Sequence, residues 1–242
     1  MIKFSPLEKM RFSEKIALDI QERIFKDELK RGDRLPTELD LAGEFQVSRT
    51  VIREAMRILE SLGLVTIKKG SQGGIFVNDG FHKPLSKSLK GQVDSGRISV
   101  DNIIKVRLLL EPFVAAEATI NADQNDIEEL GELLIESAEN MDDPVFMQAN
   151  RGKFHIRLAR ASGNPVLEMF MNSLIELLRE YFFDFKDVDF ERCAIESHRQ
   201  ILTAVQRRDP NQARKVMERD ILEIKQLVQA GGHSSSKRIT DG

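Results

Sequence analysis

Arg49, Arg53 and Arg57 stand four residues apart, so on an α-helix they form one stripe, with Ser48 and Thr50 at the end where that helix begins. Their chemistry would be recognition of nucleic acid. A guanidinium presents paired donors that match O6 and N7 of guanine in the major groove, while hydroxyls and a helix N-terminus suit phosphate oxygens. The bland alternative is a solvated helix face, and three arginines alone do not separate the two. Lys68 and Lys69, followed by Gly70-Ser-Gln-Gly-Gly74, would set a basic, glycine-rich tip against a sugar-phosphate backbone, or else form a solvated loop. A third candidate is Arg107, embedded in Val106-Arg-Leu-Leu-Leu-Glu-Pro-Phe-Val114. This run is apolar nearly all round, so it cannot be mostly solvated, and a buried guanidinium needs a partner. The partner is either Glu111, one turn on, or the carboxylate of a ligand in a cavity.

The elements that must position these groups fall into two blocks. In the first, Ser13 to Leu29 carries Ile16, Ile20, Ile24 and Phe25 near one face, the period of an amphipathic helix, and RGDRLP ends it. Thr37-Glu-Leu-Asp40 has capping-box spacing behind Pro36 and opens a short helix through Leu41, Ala42 and Phe45. After the turn at Gln46 and Val47, Ser48 caps a third helix, in which Ile52, Ala55, Met56, Leu59 and Leu62 share an apolar face and which Gly63 terminates. Leu64 to Ile67 and Gly74 to Val77 are β-rich, and the basic loop joins them as a hairpin. Two short helices and a hairpin, with guanidinium groups at the start of the second of those helices, have the geometry of a winged helix-turn-helix.

Between Asn78 and Gly96, glycines, serines and Pro84 break any sustained period, and residues 81–98 are expected to be a linker. Beyond it, amphipathic stretches predict helices at 100–120, 123–140, 143–162, 165–185, 189–208 and 210–230. Ser162-Gly-Asn-Pro165 and Asp209-Pro210 punctuate them, combining a terminal glycine or a capping side chain with proline in the first turn. The expected fold is therefore mainly α: a winged helix-turn-helix of three helices plus a β-hairpin over residues 1–80, and an all-helical bundle of about six helices over 99–230. Bundles of this kind bind small ligands among inward-facing side chains. Residues 231–242, GGHSSSKRITDG, are expected to be a disordered tail. His82 and His233 fall in the linker and the tail.

Composition sets the outer bounds. Of the 242 residues, 41% are hydrophobic and 31% charged, as in a soluble globular protein rich in helix formers. No apolar run reaches the roughly 18 residues of a membrane span, and no apolar signal segment opens the chain, so a cytoplasmic protein without membrane contact is expected. The single cysteine, Cys193, excludes an intramolecular disulfide framework and a cysteine zinc cluster. The net charge of -3 argues against nucleic acid until it is divided: the first 80 residues carry +1 and the remaining 162 carry -4.

The segment GDRLPTELDLAGEFQVSRTVIREAMRILESLGLV followed by KKGSQGGIFV resembles the winged helix-turn-helix of the GntR family of bacterial transcription regulators over about residues 11–77. The resemblance implies that Ser48, Arg49, Thr50 and Arg53 touch bases and phosphates, with Lys69 and Gly70 at the wing. Leu39 stands where many relatives carry an arginine after Pro-x-Glu, which leaves one expected contact without its donor. The stretch around Arg107 resembles the first helix of the FadR-type effector domain, where an arginine serves acidic effectors. Phe154-His-Ile-Arg-Leu-Ala with SGNP, and Ser197-His-Arg-Gln-Ile-Leu with AVQRRDP, match two further motifs of that domain.

Many such domains hold a metal with one Asp and three His. This chain keeps His155 and His198, but has Arg151 at the place of the Asp and Asp220 at the place of the third His. The resemblance thus implies an Arg151–Asp220 pair across the former metal site, with Arg107, Arg151, His155, His198 and Asp220 forming an effector site. A divalent metal on His155, His198 and Asp220, a two-His, one-carboxylate set, is the alternative; no cofactor is otherwise required. The expected function is a ligand-responsive regulator, a repressor by family habit, working as a homodimer on double-stranded operator DNA and answering to a small organic acid or sugar acid. Two competing readings are a metal-dependent helical enzyme using His155, His198 and Asp220, and a structural DNA-binding dimer without an effector. Against the enzyme, no further acid or base stands at motif spacing, and the glycines at 70–74 lead into a strand rather than a phosphate-binding helix.

Overall fold

The computed structural model describes residues 11–70, 73–78, 80–181 and 188–231. The chain divides into two compact units, Met1–Leu85 and Ser86–Gly242. No helix among the described residues is long and apolar enough to cross a membrane.

In the first unit, α1 (Phe12–Phe25) buries Ile16, Ala17, Ile20 and Ile24, while Phe25 is 59% exposed and packs on Phe81 with ring centroids 5.9 Å apart. Helix α2 (Glu38–Glu44) starts from the expected box: the Thr37 hydroxyl accepts from the Asp40 amide at 3.2 Å, and Asp40 accepts from the Thr37 amide at 3.2 Å. Gln46 takes a left-handed conformation in the turn, and Ser48 caps α3 (Arg49–Ser61). Ile52, Ala55, Met56 and Leu59 are fully buried, so α3 is the spine of this core. Gly63 follows with φ +74°, and a Cβ there would lie 2.0 Å from the Gly80 carbonyl oxygen; only glycine fits that close approach. Strands β1 (Val65–Lys68) and β2 (Gly74–Val77) pair antiparallel from Val65 opposite Val77 to Lys68 opposite Gly74. The segment before α2 adds a third edge, with the Leu35 amide donating to the Ile75 carbonyl at 2.8 Å.

The stretch expected to be a linker contains a helix, α4 (Lys83–Asp94). Pro84 stands at its second position, where a missing N–H costs no intrahelical bond, and Val93 is buried with Ile103, Leu174, Leu177 and Leu178. Burial of that one valine and its neighbours outweighs the poor local pattern. The remaining helices are α5 (Val100–Asn121), α6 (Gln124–Glu139), α7 (Pro144–Asn150), α8 (Lys153–Ala161), α9 (Pro165–Tyr181), α10 (Val188–Gln206) and α11 (Pro210–Gly231). The punctuation acts as its residues suggest: Asn164 accepts from the Val166 amide at 3.0 Å, and Asp209 from the Gln212 amide at 3.0 Å. The helix expected over 143–162 is broken, because Gly152 adopts φ +81° and a Cβ there would meet Ile175 Cγ2 at 2.4 Å. The break turns α8 inward against α5, α6 and α9. Helix α5 is the hub of the bundle, packed along α11 and touching α8, α9 and α10. The residues expected as a tail lie outside the described residues, except Gly231 at the end of α11.

Candidate functional site

The first unit presents its basic residues at the start of α3 and beside the hairpin. Ser48, Arg49, Thr50 and Arg53 are all exposed, as are Lys69 and Gly70 after β1. Ser48 accepts from the Val51 amide at 3.4 Å, so its hydroxyl also fixes the helix start. Arg53 is held by Glu38 of α2 through two hydrogen bonds, Nη2 to Oε2 at 2.9 Å and Nε to Oε1 at 3.3 Å, and Arg49 Nη2 stands 3.7 Å from the same carboxylate. The hydrogen bond from Arg53, opposed by partial burial, holds the Glu38 carboxyl below its ordinary value. Sequence reasoning had placed Glu38 only in a capping motif; its role as a brace for two arginines rests on a pairing 15 residues away. Leu39, its neighbour, is 65% exposed.

The hairpin has its own brace. Lys68 lies over the Phe76 ring with its ammonium 5.0 Å from the centroid, and Arg34 lies over the same ring at 5.9 Å. Arg34 also donates to the Gly73 carbonyl at 2.8 Å. Gly73 is obligatory, since a Cβ there would come 2.5 Å from the Lys68 carbonyl oxygen. Arg34 was missed because nothing local marks it.

In the second unit, one cavity of about 840 Å³, including its mouth to solvent, is lined by Arg107, Arg151, His155, His198 and Asp220 together. Helix α5 delivers Arg107 and Glu111, both buried, and Arg107 Nε donates to Glu111 Oε1. Arg107 Nη2 is buried with no hydrogen-bond partner among the described residues. The pairing with Glu111 is thus present through Nε, while Nη2 makes no hydrogen bond among the described residues. Glu111 Oε2 lies 2.6 Å from His155 Nδ1, which turns the other ring nitrogen toward α10. Helix α8 also supplies Phe154, stacked on the His198 ring at 4.2 Å and 9°.

His155 Nε2 and His198 Nε2 lie 3.2 Å apart, and Asp220 Oδ2 lies 3.7 Å and 3.8 Å from them. A point equidistant from the three atoms is about 2.1 Å from each, the bond length of imidazole and carboxylate ligands to zinc. Oδ2 is buried and has no hydrogen-bond partner among the described residues, and the Glu111 carboxylate lies against the far ring nitrogen of His155, the side on which a carboxylate commonly stands behind a metal-bound imidazole. The three residues fit a divalent cation. Their electrostatics agree with a site poised for charge. Burial pushes the Asp220 carboxyl up to about 6, partly offset by His155 and Arg107. Burial, then His155 and Arg107, drive His198 well below its ordinary value, leaving a neutral imidazole. Burial would raise Glu111 too, but Arg107 and His155 outweigh it and hold that carboxyl at about 2.

Arg151 departs from expectation. It does not pair with Asp220: its Nε donates to Glu191 Oε1 of α10 at 3.1 Å, and its Nη2 donates to the same oxygen. Glu191 is itself buried, so the guanidinium answers the nearer uncompensated carboxylate.

The raised Asp220 pKa has a measurable consequence. A carboxyl that holds its proton better in the folded state contributes stability that is complete below about 4 and lost as pH rises through about 6. In chelator-treated protein, Asp220→Asn should therefore be more stable than the parent at pH 7.5 by up to about 3 kcal/mol, with the gain shrinking toward pH 4. Urea denaturation across that range checks it; a gain independent of pH would contradict the assignment.

Residues 12–77 match the family described as bacterial regulatory proteins, gntR family, and residues 102–223 match the FCD domain. The Uxu operon regulator of Haemophilus influenzae is 34% identical over 208 residues, covering 80% of this chain and 73% of that one. The HTH-type transcriptional repressor NanR of Citrobacter rodentium is 24% identical over 244 residues, covering 96% and 91%. A solved GntR protein of Streptococcus agalactiae aligns at a TM-score of 0.65 with 23% identity, over 89% of this chain and 99% of that one, and supports the fold alone. These are regulators, and the reading of His155, His198 and Asp220 as the centre of a metal-dependent enzyme falls with that finding. With its winged helix-turn-helix followed by a helical FCD domain, the chain belongs to the GntR family of bacterial regulatory proteins.

Proposed function

We propose that the protein is a cytoplasmic, homodimeric repressor that binds double-stranded operator DNA through its first unit and releases it when a small carboxylate, an organic or sugar acid, occupies the cavity of the second. The observation that carries the effector reading is Arg107: a guanidinium 3% exposed, in the wall of a cavity, with Nη2 unpartnered. A buried cationic donor without a partner is costly unless a ligand supplies one, and a carboxylate matches its geometry. His155, His198 and Asp220 form the adjacent wall and hold a divalent ion in the finer version of this reading. Such an ion would supply a Lewis-acid position for the same carboxylate, while Glu111 keeps His155 oriented. The relatives named as an Uxu operon regulator and as NanR repressors support a transcriptional regulator, with repression as its sign. Occupancy would change operator affinity by a coupling free energy on the order of 1 to 3 kcal/mol.

On the DNA side, Arg49 and Arg53 at the start of α3 read base edges, Ser48 and Thr50 meet phosphates, and Lys69 and Gly70 lie on the backbone at the wing. The exposed Arg49 side chain, braced but not consumed by Glu38, supports that assignment. Arg49→Ala should weaken specific binding by roughly 1 to 3 kcal/mol and relax base preference, whereas Lys69→Ala should weaken all sequences alike and flatten the salt dependence by about one unit of slope. Binding isotherms on specific and random duplexes at several salt concentrations check this, and equal losses on both duplexes for Arg49→Ala would remove the base-reading role.

The homodimer rests on α5. Val106, Leu109, Phe113 and Ile120, spaced as one helical stripe, are 42%, 76%, 44% and 64% exposed. An apolar stripe on the central helix of a bundle calls for a cover, and a second copy supplies one with the two-fold symmetry that a palindromic operator requires. Sedimentation should give twice the 27.5 kDa chain mass, and Leu109→Asp should shift it to the monomer. A monomeric parent would contradict the reading.

A further inference from the structure

The cavity walls say more about the effector than its charge. Away from Arg107 and the two histidines, the lining is dominated by hydrocarbon: Leu134, Met147, Ile175, Leu178, Ile195 and Ile224 among others. Several of the polar groups that share this wall are engaged with other protein groups, while Asp220 Oδ2 is left without a hydrogen bond among the described residues. Ser137 donates to the Leu133 carbonyl of its own helix at 2.7 Å. Arg151 donates to Glu191 Oε1, and Arg179 Nη2 donates to the Ala149 carbonyl at 2.8 Å. Asn150 spends its amide N–H on the Phe146 carbonyl at 3.0 Å, while its Oδ1 is buried and has no partner among the described residues.

From this division we infer that the effector is a monocarboxylate with a predominantly hydrocarbon body, aliphatic or aromatic, rather than a polyhydroxylated sugar acid. This inference rests on the proposed effector site and narrows it. The carboxylate meets Arg107 Nη2 at the polar end, the body lies along the leucine and isoleucine wall, and the few hydroxyl or N–H groups it carries reach Asn150 Oδ1 or Asp220 Oδ2. Each hydroxyl of a sugar acid must exchange water for a protein partner when it enters, and the buried acceptors left without a hydrogen bond among the described residues of this wall away from Glu111 are two, Asn150 Oδ1 and Asp220 Oδ2. A hydrocarbon body loses nothing by leaving water and gains contact with the wall. The discrimination is therefore built from unpaired hydroxyls on the wrong ligand rather than from a special contact to the right one.

The full-length chain, titrated by calorimetry and followed by thermal melting, provides the test. Hexanoate and phenylacetate represent the hydrocarbon acids, gluconate and glucuronate the sugar acids, and hexan-1-ol the same chain without the charge. Hexanoate or phenylacetate should bind at least about tenfold more tightly than either sugar acid and than hexan-1-ol. Arg107→Lys, which keeps a buried cation beside Glu111 but loses the paired donors, should weaken that acid by a similar factor, and because the comparison among ligands is made on the parent chain it stands even if this variant folds poorly. Binding of gluconate or glucuronate in preference to the hydrocarbon acids would overturn the inference and leave the carboxylate-sensing function standing. Binding of none of the four acids would overturn both, and binding of hexan-1-ol as tight as hexanoate would remove Arg107 as the anchor.

Discussion

The second unit is organised around a buried chain of charge: Arg107 to Glu111, Glu111 to His155, and His155 to His198 and Asp220. Isolated, each of these groups would be costly in an apolar interior. Together they draw four helices to one point, since Arg107 and Glu111 come from α5, His155 from α8, His198 from α10 and Asp220 from α11. Satisfaction is incomplete: among the described residues Arg107 Nη2 and Asp220 Oδ2 make no hydrogen bond, and Glu111 Oε2 and His155 Nδ1 have each other as an ion-pair contact but no hydrogen bond. A bundle that needed only stability would fill these positions with leucine. An open donor and an open acceptor in the lining of one cavity are what the proposed binding of an anion, a cation or both would use.

The first unit uses the same principle at lower stakes. Glu38 sets the Arg53 guanidinium and stands beside Arg49, while Arg34 and Lys68 share the face of Phe76 beneath the hairpin. These pairs are exposed and add little to stability. Their effect is positional: long, rotamer-rich side chains are held in one arrangement, and if they meet a duplex as proposed, less freedom is lost on binding.

Much of this was legible in the sequence where the signal is local. The 3.6-residue period of α3, the Thr37 and Asp40 box, and the Asn164 and Asp209 caps are decided within one turn of helix, and the structure follows them. Helix α4 was not legible, because its stabilisation comes from Val93 packing on α5 and α9 rather than from its own weak pattern. Nor was the break at Gly152, which depends on Ile175 standing where a Cβ would go. Among the site residues, the family motifs point to His155, His198 and Asp220, and the structure brings them together. The Arg151–Asp220 pair failed because Glu191, 40 residues along the chain, is the nearer carboxylate. A pairing across elements leaves no mark in spacing, which is also why Glu38 was read only as part of a cap.

The central proposal is that occupancy of the cavity at Arg107 governs affinity for DNA. The direct measurement is fluorescence anisotropy of the full-length chain on a duplex it selects from a random library, with and without a carboxylate that raises its melting temperature. The account predicts a drop in affinity of roughly 5- to 150-fold on saturation with the acid. It also predicts that the drop disappears in Arg107→Lys, which binds the same duplex when no acid is present. An acid that binds in the cavity yet leaves DNA affinity unchanged would contradict it.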